Sequence, residues 1–428
     1  MKESILHYIW QQKLFNAHSL RSTDGEAIEV IDVGKANTDA GPDFFNAKIR
    51  IGATIWAGNI EIHVQSSDWN KHNHQSDKAY DSTILHVVKT ADTVIYRSNG
   101  EKIPQLELEY PQYIEENYEK LISAQKWIPC ADRLEKVVHV FIQDWITTLL
   151  SERLEQKMNA IDAILKDNNN HWEEAFYIIL ARSFGFGINS QAFEMLARSL
   201  PLSVIAKHKS NQFQIEALLF GQAGFLENNK QDEYASALKK EYDFLSAKYN
   251  LKKISVEQWK LLRLRPDNFP HLRIAQLATL IHSSSKLLSR VIDAPEIDAL
   301  TKLFQSEPSE YWKTHYLLGH ESVKKSKKLG KTAINGLLIN TVIPFLFCYA
   351  TRKDNQELKE KSLHLYELLP AEKNTIITKW KLVGLQPETA FDTQALLQLK
   401  KHYCDDKKCL RCRFGHQILS KQQNPKYI

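Results

Sequence analysis

Gly41-Pro42-Asp43-Phe44 and Gly58-Asn59-Ile60-Glu61-Ile62-His63 are the segments on which the reading of this chain turns. The first sets a carboxylate at the entry of a β-like run, residues 44–51. The second sets another near the end of the next run, 54–64. Side chains alternate across a strand, so Glu61 and His63 share one face while Ile60, Ile62 and Val64 take the other. That alternation predicts a half-buried strand. Two acids and a polar third group on neighbouring strands suit a divalent cation held against a phosphate, because Mg²⁺ binds through one or two carboxylates and keeps positions for water and phosphate oxygens.

Working outward, residues 3–16 carry apolar side chains at roughly helical spacing, with Glu3 at the start. Further β-like runs cover 27–33, 83–89 and 94–96, divided by the turn residues Thr23-Asp24-Gly25, Asp39 to Pro42 and Ser98-Asn99-Gly100. The first part of the chain therefore reads as a helix followed by a small, mostly antiparallel sheet. Beyond Pro129-Cys130 the period changes to that of helices, with little strand signal from about 137 to 401. Helices are predicted over 172–184, 190–199, 211–220, 231–249, 271–289, 295–305, 334–351, 356–367, 371–382 and 391–402. No fixed repeat is present, so an irregular bundle is expected. The predicted class is α+β: an N-terminal small sheet with helices, then a large irregular all-helical region. The boundaries are 1–128, 129–401 and a Cys-rich segment at 402–428.

With 428 residues, 43% apolar, the chain is long enough for two or three domains with a sizeable core. No apolar window reaches the roughly 18 residues that span a bilayer. The run Leu337 to Tyr349 is shorter and holds Asn340 and Pro344, so it is predicted to be a buried helix. Nothing at the N-terminus resembles a secretory leader, and a cytoplasmic location without membrane attachment is expected. The net charge of +5 permits a polyanionic partner without demanding one.

The acids would carry metal-assisted phosphodiester hydrolysis. Asp43 and Glu61 supply oxygen ligands for Mg²⁺ or Mn²⁺, His63 orients water or meets the phosphate, and Glu3 adds a further ligand or a supporting acceptor. The arrangement resembles the PD-(D/E)XK nuclease superfamily over about the first 95 residues. Pro42-Asp43 stands at the start of the second strand, Glu61-Ile62-His63 at the end of the third, and Glu3 on the preceding helix of an αβββαβ core. His63 takes the position usually held by lysine. The resemblance implies a restriction-endonuclease-like fold and a nuclease activity. The whole chain also resembles an uncharacterised bacterial family, a domain of unknown function, through its Gly-Pro-Asp-Phe, Glu-Ile-His, Leu-His-Val-Val and Tyr-Cys…Cys…Cys segments.

Histidines crowd behind the acids: His63, His72, His74 and His86. His72 and His74 are read as loop residues that either stay solvated or contact phosphate. His86 lies among apolar neighbours and reads as a core histidine. Neutral imidazoles also bind transition metals, so a histidine-metal hydrolase of a small molecule is a separate expectation. It requires His63, His72, His74 or His86 to converge on one ion.

Of five cysteines, Cys404, Cys409 and Cys412 fall in the spacing that wraps one metal. A fourth ligand is needed. His416, His402 and Cys130 are the candidates: sequence proximity favours His416, which would complete a zinc site, whereas Cys130 would complete the set for a [4Fe–4S] cluster. Cys348 reads as core. Between Trp259 and Arg273, the residues Arg263, Arg265 and Arg273 are candidates for phosphate contact and Trp259 for base stacking. The run Lys324 to Lys331 reads as a solvated loop. The leading expectation is a metal-dependent nuclease acting on nucleic acid, with the helical region as a wall or clamp. The alternative is a non-catalytic nucleic-acid-binding or scaffold protein that keeps the fold.

Overall fold

The structure is a computed structural model and describes residues 2–227, 232–284, 286–293 and 296–421. The chain divides into two units, Met1–Trp145 with Leu399–Ile428, and Ile146–Gln398. The segment after 401 is thus part of the first unit and does not stand apart. Its helix Arg413–Leu419 lies against the chain on either side of residue 130, and the Tyr8 hydroxyl meets His416 Nδ1 at 2.7 Å.

In the first unit, α1 (Glu3–Gln11) buries Ile5, Leu6, Ile9 and Trp10 against the sheet, and Trp10 Nε1 donates to the Val33 carbonyl. It stops before the predicted residue 16, because Lys13 takes a left-handed conformation. The strands are β1 (Ile28–Asp32), β2 (Lys35–Ala36), β3 (Phe44–Ile51), β4 (Thr54–Gln65), β5 (Thr83–Thr90) and β6 (Gln105–Glu107). They form one sheet in the order β1-β3-β4-β5-β6, with β2 pairing beside β3. The pairs from β1 to β4 are antiparallel, but β4–β5 and β5–β6 are parallel. The sheet is therefore mixed, more so than predicted. A crossover containing the short helix α2 (Asp68–Lys71) links β4 to β5.

Parallel pairing changes the burial of β4. Ile60, Glu61, Ile62 and His63 are all buried, so the half-buried strand predicted from alternation is covered on both faces at its C-terminal end. Trp69 and the rest of the crossover lie over the polar face there, and Trp69 Nε1 is satisfied by the Tyr96 carbonyl. The run 94–96 is not a strand. Tyr96 forms a single bridge with Lys102, and the sixth strand is Gln105–Glu107, too short to show a period. A third helix, α3 (Tyr113–Ser123), was also not predicted.

The helical unit holds the predicted helices: 172–184 and 190–199 match at both ends, and most of the others are lengthened or shortened at one end or both. The predicted 371–382 begins at Thr375, where the Asn374 side chain caps the Ile377 amide. The predicted 271–289 is two helices, Pro270–Ser283 and Leu287–Asp293; residue 285, like 231 and 295 of the neighbouring predictions, lies outside the described residues. A small hairpin at His315–Leu317 and His320–Glu321 interrupts the helices. Lys327, read as solvated, is buried: its ammonium donates to the His315 carbonyl at 2.7 Å and lies over the Tyr316 ring. Leu337 to Tyr349 is the middle of a 22-residue helix, Lys331–Arg352, which by length and composition is apolar enough to cross a membrane. It is longer than the apolar run suggested, and 67% of its apolar window is buried within the protein. Cys348 is buried on it, as predicted.

Gly58 shows how closely β4 and the entry to β5 approach. A Cβ added there would fall on the Ile84 side chain and lie 2.7 Å from the Ser82 carbonyl oxygen. Gly58→Ala is expected to cost about 1–3 kcal/mol in urea unfolding through overpacking. Gly336→Ala, inside a helix with only the Phe186 ring edge nearby, is expected to gain roughly 0.5–1 kcal/mol.

Candidate metal centre

The antiparallel pairing of β3 with β4 aligns Phe44 with Ile60. Asp43, one residue before β3, is thereby set opposite Glu61. The two are fastened reciprocally: the Asp43 amide donates to Glu61 Oε2 at 3.1 Å, and the Ile62 amide donates to Asp43 Oδ2 at 2.9 Å. Each carboxylate gives one oxygen to the other strand's backbone, which holds both heads on the same side of the sheet.

Helix α1 brings Glu3 to this point, as predicted, and also His7, which sequence reasoning missed. His7 is four residues after Glu3, and that spacing puts both side chains on one helical face. His7 Nε2 lies 3.4 Å from Glu3 Oε1 and 3.3 Å from Asp43 Oδ2, charge contacts rather than aligned hydrogen bonds. Burial opposes the imidazolium, but Asp43 and Glu3 outweigh it and raise the His7 pKa to about 10. One ligand atom from each of Glu3, His7 and Asp43 falls within 4.8 Å of the others.

Behind Asp43, Glu61 is 4% exposed. Burial pushes its carboxyl upward; a hydrogen bond from His74 opposes this, and the nearby Asp43 charge adds to it. Its Oε1 faces His74 Nε2 at 3.3 Å and His63 Nε2 at 3.6 Å. His63 Nε2 also lies 3.1 Å from His72 Nδ1, and His63 Nδ1 lies 2.8 Å from His86 Nε2. His63, His72 and His74 gather to within 4.8 Å. Tyr80 stacks on His74, and Trp69 packs edge-on against His74 and His86. Burial lowers the pKa of His63 to about 4, and that of His86 well below the usual range. His63 is therefore neutral at pH 7 and carries no lysine-like positive charge. His86 is buried, as a core histidine should be, yet it bonds to the cluster. His72 is exposed, whereas His74, read as a loop residue, is buried.

The four cysteines Cys130, Cys404, Cys409 and Cys412 line one small cavity of about 20 Å³. Cys404 ends a π-helical turn, Lys400–Cys404, a distortion frequent at functional sites. Gly415 lets the loop close, since a Cβ there would fall on the Cys409 carbonyl. His416 turns instead toward Tyr8. Of the three candidates for the fourth position, Cys130 is the one that lines this cavity with the other cysteines.

Between the carboxylates and this loop lies a cleft of about 850 Å³. His7, Asp43 and Asn37 form one wall, and Arg411, Arg413 and His416 the other. Arg413 pairs with Asp144 and stacks over Trp145; Arg411 is exposed. These arginines were not among the sequence candidates. Arg263, Arg265 and Arg273 belong to the helical unit. Arg263 and Arg265 are exposed, whereas Arg273 is buried, its guanidinium donating to Gln276 and Asn268 and lying over Phe186. Trp259 is buried as well, with Nε1 on the Ala223 carbonyl.

A family model described as "Protein of unknown function (DUF2851)" matches residues 3–375. The chain belongs to that family. The match takes in both carboxylate segments, the histidines and Cys130, and ends before Cys404. No curated protein and no solved structure matches the chain.

Burial raises the thiol pKa of Cys130 and of Cys409 to about 12, and those of Cys404 and Cys412 also rise. A raised thiol pKa means a protonated, unreactive thiol at neutral pH. In metal-free folded protein these four cysteines are expected to resist iodoacetamide at pH 7, while urea-unfolded protein is alkylated quickly. Peptide mass spectrometry measures both.

Proposed function

We propose that the protein is a metal-dependent phosphodiesterase acting on nucleic acid, with a restriction-endonuclease-like core. The observation that carries the reading is the convergence of Glu3, His7 and Asp43 beside the buried Glu61 at the edge of the cleft. The order of elements supports it: α1, the antiparallel β1, β3 and β4, a crossover, then the parallel β5. With the two-residue β2 set aside, this order is compatible with the αβββαβ core that the PD-(D/E)XK resemblance implies.

Asp43, Glu3 and His7 are the residues that would hold a divalent cation. A donor set of two carboxylates and an imidazole fits Mn²⁺ better than Mg²⁺, which prefers oxygen ligands alone. When bound, the cation would polarise a phosphoryl oxygen and lower the pKa of a bound water. The chain's own groups do the rest. Arg411 and Arg413 bind backbone phosphates on the facing wall, as planar guanidiniums do. Asn37 and His7 line the near wall, and the Asp43–Glu61 pair keeps the acid heads in register. Glu61, neighboured by the neutral His63, supports Asp43 through its backbone amide. The cluster of arginines favours a phosphodiester over a small neutral substrate.

Cys130, Cys404, Cys409 and Cys412 would hold a structural Zn²⁺ or a [4Fe–4S] cluster, since four thiolates serve both. Such a group fastens the segment carrying Arg411 and Arg413 to the chain at residue 130. A cytosolic setting suits thiols that must stay reduced. Iron and sulfide in anaerobically purified protein, with a brown colour, mark the cluster; zinc without colour marks the ion.

Purified protein is expected to cleave DNA or RNA with Mn²⁺ or Mg²⁺. Asp43→Asn and Glu61→Gln are each expected to lower the rate at least about 100-fold, as for loss of a principal catalytic contact. Unchanged cleavage in Asp43→Asn refutes the assignment. Arg411→Ala is expected to weaken substrate binding and to lower the slope of log affinity against log salt by about 0.9, the share of one phosphate contact on duplex DNA. Tight binding with no turnover in either metal would instead indicate a non-catalytic nucleic-acid-binding protein.

A further inference from the structure

Glu61 is buried, and among the described residues its ion-pair partners are two histidines, His63 and His74. Among the described residues no lysine or arginine forms an ion pair with it. A buried carboxylate is costly unless a cation or several hydrogen bonds compensate it. Its Oε2 takes the Asp43 amide, which leaves Oε1 directed into the histidine pocket.

The spacing in that pocket is informative. His63 Nε2 is 3.1 Å from His72 Nδ1 and 3.6 Å from Glu61 Oε1, and His74 Nε2 is 3.3 Å from the same oxygen. Zinc–nitrogen bonds of 2.0–2.1 Å in a tetrahedron place neighbouring ligand atoms about 3.3 Å apart. The three contacts fall near that separation, and one nitrogen from each of His63, His72 and His74 lies within 4.8 Å of the others, with Glu61 Oε1 against two of the three rings. The supporting contacts are also of the kind a metal-bound histidine uses. His63 would bind through Nε2 and donate its Nδ1 proton to His86 Nε2, which fixes the tautomer and the ring. Tyr80 stacked on His74, with Trp69 behind, holds that ring and lines the site with apolar surface. The exposed His72 leaves an entry path from solvent.

We infer that His63, His72 and His74 form a second metal site, for a first-row transition dication such as Zn²⁺, beside the Glu3–His7–Asp43 group and with Glu61 Oε1 against His63 and His74. Glu61 joins the two, with Oε1 on the histidine side and Oε2 on the Asp43 side. Imidazole donors select such an ion over Mg²⁺. The inference goes beyond the phosphodiesterase reading and does not require it, since a histidine site of this kind would bind metal whether or not nucleic acid is cleaved.

The test is titration of chelator-stripped, full-length protein with Co²⁺, read by its visible d–d absorption. Thiolate-to-cobalt charge transfer in the near ultraviolet reports the cysteine site separately. Wild-type protein is expected to show a d–d band from histidine-bound cobalt. His72→Ala should weaken that binding about 10-fold or more, with the thiolate bands retained. His74→Ala should do the same. Because His74 is buried and its variant can misfold, the exposed His72 variant decides, with a thermal melt as the check on folding. Asp43→Asn should leave the band in place. An identical titration in wild type and His72→Ala overturns the site, as does a visible band lost only with Asp43→Asn. Wild-type protein that binds cobalt normally but cleaves no nucleic acid with Mn²⁺ or Mg²⁺ counts against the phosphodiesterase reading alone.

Discussion

Two cross-strand hydrogen bonds organise the polar half of the first unit: the Asp43 amide to Glu61, and the Ile62 amide to Asp43. They are possible only because β3 and β4 pair with Phe44 opposite Ile60. A slip of one residue would turn Glu61 and His63 to the opposite face. Register, and not merely proximity, therefore decides which groups meet. The carboxylates come to lie between α1 on one side and the crossover histidines on the other, and Glu61 touches both neighbourhoods.

The constraint has an electrostatic side. Glu3, Asp43 and Glu61 are three acids in a small volume. Among the described residues the bases in contact with them are histidines: His7, His63 and His74. A surface designed only for stability would place lysine or arginine there. Histidine can leave as a proton carrier and return as a metal ligand. His63, kept neutral by burial, offers a nitrogen donor there and no fixed positive charge.

Much of this was legible in the chain. Side-chain alternation placed Glu61 and His63 together, and Pro42-Asp43 marked the strand entry. Glu3 came from the order of elements, and Cys130 was one of three candidates, with His416 and His402, for the fourth ligand beside the C-terminal cysteines. His7 carries a readable signal in its four-residue spacing from Glu3. The remaining gaps have physical causes. Arg411 and Arg413 sit far along the chain from Asp43, and only the packing of the C-terminal helix beside residue 130 brings them to the same cleft. Arg273 looks like any surface arginine until Phe186, Asn268 and Gln276 enclose it. β6 and the His315 hairpin are too short for any period. The burial of both β4 faces depends on parallel pairing with β5, a long-range choice that alternation within β4 does not encode.

The first unit is discontinuous, with the whole helical unit inserted between residues 145 and 399. On a ribosome, the acids, the histidines and Cys130 emerge early; Cys404, Cys409, Cys412 and both cleft arginines emerge only after every helix of the insertion. The carboxylates thus exist for a time without their facing wall. Loop-closure entropy grows only slowly with length, about 0.6 kcal/mol per doubling, so the long wait is kinetically more consequential than energetically costly. During synthesis the chain holds its acids and histidines apart from the cleft arginines, and the order of the amino acids alone serves as the timer.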